Sequence, residues 1–272
     1  VAIVGTVSDS GAHPAYGVPR PVLPFATVLL EDNPNAMTLD GTNTWLLRAP
    51  GAAGCVVVDP GEEDLPHLER VLAAAGPVEA ILITHHHPDH VAGAPWLAER
   101  AGAPVRAFDP ALCVDAPPLA DGEVLAMAGL DLEVLHTPGH TADSICLAID
   151  HGGRSAVLTG DTVLGRGTTV IAPPDGALGP YLDSLRLLAG RPPGSAVLPG
   201  HGPDLPDLAG VARQYLTHRE QRLNQIRTAL SQLGPDATAR QVVEVVYADV
   251  DESLWPAAEW SVRAQLDYLR TT

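Results

Sequence analysis

The chain has no lysine; all 16 basic residues among its 272 are arginine. Set against 33 acids, they leave a formal net charge of −17. This argues against capture of nucleic acid by a broad positive surface, which works by displacing condensed counterions. Only a local arginine groove would attract a polyanion. Aromatic residues are scarce, at 4%. The three cysteines, Cys55, Cys113 and Cys146, are odd in number and lack C-x-x-C spacing. They supply no disulfide framework and read as reduced, mostly buried thiols of a cytosolic protein. No run of 18 apolar residues occurs, so no helical membrane span is expected. The opening "VAIVGTVSDSG" has no basic segment ahead of an apolar stretch, and the expectation is a cytoplasmic protein.

What is present points to a globular enzyme-sized chain. Hydrophobic residues make up 46%, enough for one large core and a small appendage. Residues 1–20 read as an irregular N-terminal segment. From "FATVLL" onward, short β runs ("GTNTWLL", "GCVVVDPG", "VEAILIT", "APVRAF", "LDLEVLHTPGH", "ICLAID", "SAVLTGD", "SAVLPGH") alternate with helical spacings such as "LPHLERVLAAAG" and Tyr181–Leu188. That alternation implies an α/β domain over 21–206, with two sheets or one large mixed sheet. Beyond Pro206 the pattern is helical throughout. A long amphipathic helix, with Asp207 placed to cap it and Gly234-Pro235 to end it, opens a C-terminal domain over 207–272, winged-helix-like or a lid. Its seven arginines face nine acids, so it lacks the positive face of a nucleic-acid reader. Trp96, Trp255 and Trp260 are expected as core anchors, and His136 as structural.

The stretch "THHHPDH" places four histidines and an aspartate in seven residues. If "AILITHHH" runs on as a strand, alternation sets His85 and His87 on one side and His86 on the other. Pro88 suits the first turn of a following helix, so Asp89 and His90 lie in that turn beside the strand end. Three other apolar runs end at a glycine-containing turn with a ligand-type residue close by: "LEVLHTPGH" at His140, "SAVLTGD" at Asp161 and "SAVLPGH" at His201. Any one of these alone would be an ordinary loop residue. Together they close two shells: His85, His87 and His140 around one metal, Asp89, His90 and His201 around a second, with Asp161 bridging. Imidazole and carboxylate donors without thiolate suit two Zn2+, and also Fe or Mn.

"HHHPDH", "TPGHT", "TGDT" and "PGHG", over roughly residues 25–204, resemble the metallo-β-lactamase superfamily. "NPNAMTLDGTNTWLL", "GDTVLGRGTTV", "PGHGPDLPDL" and "YLTHREQRL" resemble its lactamase-beta-like protein 2 group, whose members also carry a helical C-terminal domain. The resemblance implies a four-layer αβ/βα sandwich with a dinuclear site at one edge and the ligand roles given above. It implies that Asp59 supports the metal loop from behind. The best-known secreted zinc β-lactamases carry a Cys in place of the carboxylate at the second metal. Asp161 stands there instead, as in glyoxalase II, nucleases and lactamase-like hydrolases.

The expected function is hydrolysis by a metal-bridging hydroxide, with Asp89 as both ligand and catalytic orienting group. A thioester or other activated acyl bond in a small molecule is the first substrate class. Single-stranded RNA cleavage is the alternative, and an iron-dependent sulfur dioxygenase a third. Arg166, Thr42 and Asn43 are the candidate substrate contacts, and a groove of Arg166 with Arg213 or Arg219 would favour RNA. The helical appendage leaves room for a homodimer.

Overall fold

The computed structural model describes residues 15–249 and 251–271. Most of the expected irregular segment 1–20 therefore lies outside the described residues. Strand β1 (Arg20–Leu23) begins earlier than the sequence pattern indicated, because it pairs with β2 (Ala26–Leu30) across a turn at Pro24-Phe25. The first sheet continues through β3 (Asn43–Leu47), β4 (Cys55–Val58), β5 (Val78–Leu82) and β6 (Val105–Arg106), in that spatial order. The second sheet runs β11 (Ala196–Pro199), β10 (Arg154–Gly160), β9 (Ile145–His151), β8 (Leu130–His136) and β7 (Val124–Met127). Strand β7 has no counterpart in the sequence reading; half of it faces solvent, so its apolar signal is weak.

Burial explains the layers. Every residue of β4 is buried, because one face of the first sheet meets the second sheet and the other meets helices. Between the sheets, Trp45, Leu47, Val56, Val58 and Leu82 of the first interleave with Leu130, Leu132, Ile145, Leu147 and Leu158 of the second. Helices α1 (Leu65–Ala75) and α3 (Ala94–Ala101) cover the outer face of the first sheet through Val71, Ala75, Leu97 and Ala98. Helix α4 (Leu178–Ala189) and the start of α5 (Leu208–Leu233) cover the second through Leu182, Leu185, Leu208 and Ala212. The result is the αβ/βα sandwich.

The far half of α5 packs with α6 (Ala239–Val246) and α7 (Trp255–Thr271) around Ile226, Val242, Val262 and Leu266. Thr238 and Gln241 form a capping box at the start of α6. Asp207 occupies the N-cap position of α5, but its side chain accepts no capping hydrogen bond, contrary to expectation. Trp255 is a core anchor and Trp96 packs against the outer helical layer; Trp260 is 44% exposed, because it falls on the outward side of α7. Cys55 and Cys146 are buried, Cys113 is half-buried, and all three are free.

Strands β4 and β5 are parallel, as are β10 and β11, and β8 runs with β10 because each is antiparallel to β9. The loops that follow these strands carry the candidate site. Leu132 is fully buried between the sheets. Leu132→Ala is expected to cost about 2–5 kcal/mol, read as a lowered midpoint in urea unfolding with the slope unchanged.

Candidate metal centre

Strand β5 stops at Leu82, and residues 84–87 turn instead of continuing as a strand. Strand alternation is therefore not what brings His85 and His87 together. The cause is Asp59, just past β4. Its Oδ1 accepts the Thr84 amide at 2.8 Å and its Oδ2 the Thr84 hydroxyl at 2.6 Å. The Thr84 carbonyl accepts the Ile145 amide, which ties the turn to the second sheet. The chain then wraps so that the His85 and His87 rings stand edge to face, 4.7 Å apart. Pro88 opens α2 (Pro88–Val91), which carries Asp89 and His90.

Five imidazoles and two carboxylates converge here, as the triads His85–His87–His140, His85–His90–Asp161 and Asp89–His90–His201. His87 Nδ1 lies 3.0 Å from both His85 Nε2 and His140 Nε2. His90 Nε2 is 3.2 Å from His201 Nε2 and 3.6 Å from Asp161 Oδ1. Asp161 Oδ2 is 3.7 Å from His140 Nε2 and 3.4 Å from His201 Nε2.

The outward ring nitrogens explain these short separations. His90 Nδ1 donates to Asp59 Oδ2 at 2.9 Å, His140 Nδ1 to the Val170 carbonyl at 2.8 Å, and His201 Nδ1 to the Gly41 carbonyl at 3.1 Å. His85 Nδ1 donates to the Thr84 hydroxyl oxygen, whose own proton goes to Asp59. A neutral imidazole has one N–H, so neutral rings held this way each turn a lone pair inward. Asp161 Oδ1 is buried among them without a hydrogen-bond partner. Facing acceptors of this kind fit a cation, and imidazole with carboxylate is a donor set for zinc, iron or manganese.

Charge divides the cluster. Burial works against ionising Asp161, yet His201 and His90 hold it well below the usual carboxylate range. Burial likewise opposes charge on His201, but Asp161 and Asp89 outweigh it and raise the ring well above the ordinary value. Burial lowers His85 far below that value and His87 to about 4, with neighbouring imidazoles adding to both. His86 is apart from the cluster, with Nδ1 2.8 Å from Asp143 Oδ1.

The three expected substrate contacts each have a partner within the chain. Thr42 is fully buried and bridges to His201. Asn43 donates to the carbonyls of Pro199 and Gly202, at 3.0 and 2.8 Å, and so holds the loop bearing His201. Arg166 forms a two-pronged ion pair with Asp40. Arg219 is buried, and Arg213 reaches the Ala189 carbonyl, so these three form no open basic groove.

Glu31 escaped the sequence reading, because a single acid after a strand carries no signal. It is 1% exposed, and the Glu62 amide and Asn33 Nδ2 donate to it. Gly61 is required beside it: a Cβ there would lie 2.2 Å from Oε2.

A sandwich that turns such donors inward at the ends of its strands defines the class, a metal-dependent hydrolase. The chain belongs to the metallo-beta-lactamase superfamily, whose family model matches residues 37–201. A second model, the beta-lactamase associated winged helix domain, matches 238–271. The chain is 35% identical over 261 residues to a "Beta-lactamase-like protein 2 homolog" of Drosophila melanogaster, covering 89% of this chain and 86% of that one. It is 30% identical to an "Atrochrysone carboxyl ACP thioesterase" of Aspergillus chevalieri, covering 86% and 76%. A beta-lactamase domain protein from Burkholderia ambifaria shares the fold, with a TM-score of 0.80, 24% identity, and 96% and 90% coverage.

Burial raises Glu31 to about 8 from 4.5, with Glu62 and Asp64 adding to the shift against the Glu62 hydrogen bond. The folded state then holds a proton that the unfolded state releases. Its stabilising contribution is full below about pH 4.5 and is lost as pH rises through about 8. Glu31→Gln should therefore gain stability relative to wild type between about pH 5 and about pH 9, on the order of several kcal/mol at most, in paired thermal or urea unfolding.

Proposed function

We propose that the centre holds two metal ions, zinc first and iron or manganese as alternatives, and hydrolyses an activated acyl bond, a thioester first of all. The observation that carries this reading is the convergence of five imidazoles and two carboxylates in three overlapping triads, with Asp161 within 3.7 Å of His90, His140 and His201. His85, His87 and His140 would hold one ion, Asp89, His90 and His201 the other, and Asp161 both. When bound, the ions supply Lewis acidity, lowering the pKa of water and polarising the acyl oxygen. The similarity to a relative named as a thioesterase supports acyl chemistry.

The chain's own residues supply orientation and a proton acceptor. Asp89 is the more exposed of the two carboxylates, at 21% against 10% for Asp161. Its Oδ2 is 3.2 Å from His201 Nε2, and His201 and His90 overcome burial to keep it ionised. Asp89 therefore orients the attacking water and accepts its proton. Asp59 fixes the His90 ring and the Thr84 turn from behind. We read residues 21–206 as the catalytic domain and 207–272 as the helical one, in a cytoplasmic protein whose thiols stay reduced. RNA cleavage draws no support from the arginines, and the complete second triad disfavours a single-iron oxygenase.

The test is a panel of thioesters beside a labelled single-stranded RNA, using metal-loaded wild type, Asp161→Ala and His87→Ala. Thioester cleavage should fall more than about 100-fold in both variants, beyond what loss of an outer hydrogen-bond partner costs. Undiminished cleavage by variants that have lost their metal would overturn the metal reading. Cleavage of RNA but of no thioester would overturn the acyl reading.

A further inference from the structure

We propose that Tyr215 and Arg219, one turn apart on α5, are positioning residues for the metal centre. They hold the 164–170 loop that orients His140. This rests on the proposed reading of His140 as a metal ligand.

Arg219 is 4% exposed, and no carboxylate pairs with it among the described residues. Its Nη2 donates to the Thr169 carbonyl at 2.6 Å, and its Nε has no hydrogen-bond partner. Burying an uncompensated guanidinium is costly, and an apolar side chain of similar volume would pack with less penalty. What the cation does is grip the loop. Thr169 Oγ1 lies 3.0 Å from His140 Nδ1, and the next residue supplies the carbonyl that accepts from it.

Tyr215 grips the same loop one turn earlier. Its hydroxyl accepts the Leu164 amide at 3.2 Å and donates to the Gly167 carbonyl at 2.7 Å. The Arg219 guanidinium also stands 5.1 Å over the Tyr181 ring. Tyr181 Oη donates to the carbonyl of Thr162, the residue after Asp161. Gly139 presses against this same Tyr181, where a Cβ would lie 2.3 Å from its Cα. The first half of α5 thus braces the His140 loop directly and the Asp161 loop through Tyr181 of α4.

Zinc affinity of the full chain, measured by competition with a chromophoric chelator, tests this. Arg219→Met and Tyr215→Phe should each bind zinc up to about 10-fold more weakly, the low end of what loss of a ligand's own hydrogen-bond partner costs, because both act through the loop. Their thermal midpoints should rise less on zinc addition than that of wild type. Wild-type zinc affinity in both variants would overturn the proposal, as would an equal loss of stability with and without zinc. If Arg219→Met does not fold, Tyr215→Phe, which keeps the ring, decides alone. His140→Ala, run alongside, should lose one zinc. If it keeps both, the ligand reading fails, and the proposal with it, in a way distinct from failure of the brace.

Discussion

Five imidazoles and two carboxylates forced to face one another are the constraint on which this structure depends. Each inward nitrogen of His85, His90, His140 and His201 is aimed by a hydrogen bond on its far side. Those bonds come from Thr84, Asp59, Val170 and Gly41, which lie on four separate segments. The sandwich serves to bring these segments to one edge, because β4, β5, β8, β10 and β11 deliver their loops there. Imidazoles and carboxylates held this way are arranged in advance for a cation, so binding one couples to folding.

The supports reach further than the ligands. Asp59 fixes the turn and the His90 ring with one carboxylate, so a single side chain sets both halves of "THHHPDH". Asn43, which opens β3, and Thr42 just before it do the same for His201 from the first sheet. The helical C-terminal region joins through Tyr215 and Arg219. The layers and the centre are therefore one mechanical unit, with the core between the sheets setting the distance across which the loops meet.

Much of this was legible in the residues. The α/β alternation, the helical change after Pro206 and the strand-end placement of His140, Asp161 and His201 all appear as local pattern, and the structure gathers these residues at one point. The reason for the pairing of His85 with His87 was not legible, because it comes from a carboxylate 25 positions away from Thr84 rather than from strand period. Thr42, Asn43 and Arg166 read as candidate substrate contacts only from their neighbours in the chain. Their partners, the His201 loop and Asp40, are distant in sequence, and no local signal names them. Glu31 and Arg219 were missed as buried groups for the same reason: charge reads as surface until the fold shows what covers it.

Metal stoichiometry decides whether the facing side chains form a dinuclear centre. Metal-free protein would be titrated with zinc and the ions per chain counted by native mass spectrometry. Two bound ions per folded chain are expected. A chain that folds fully and stays at one ion or none, with zinc in excess, would contradict a dinuclear centre.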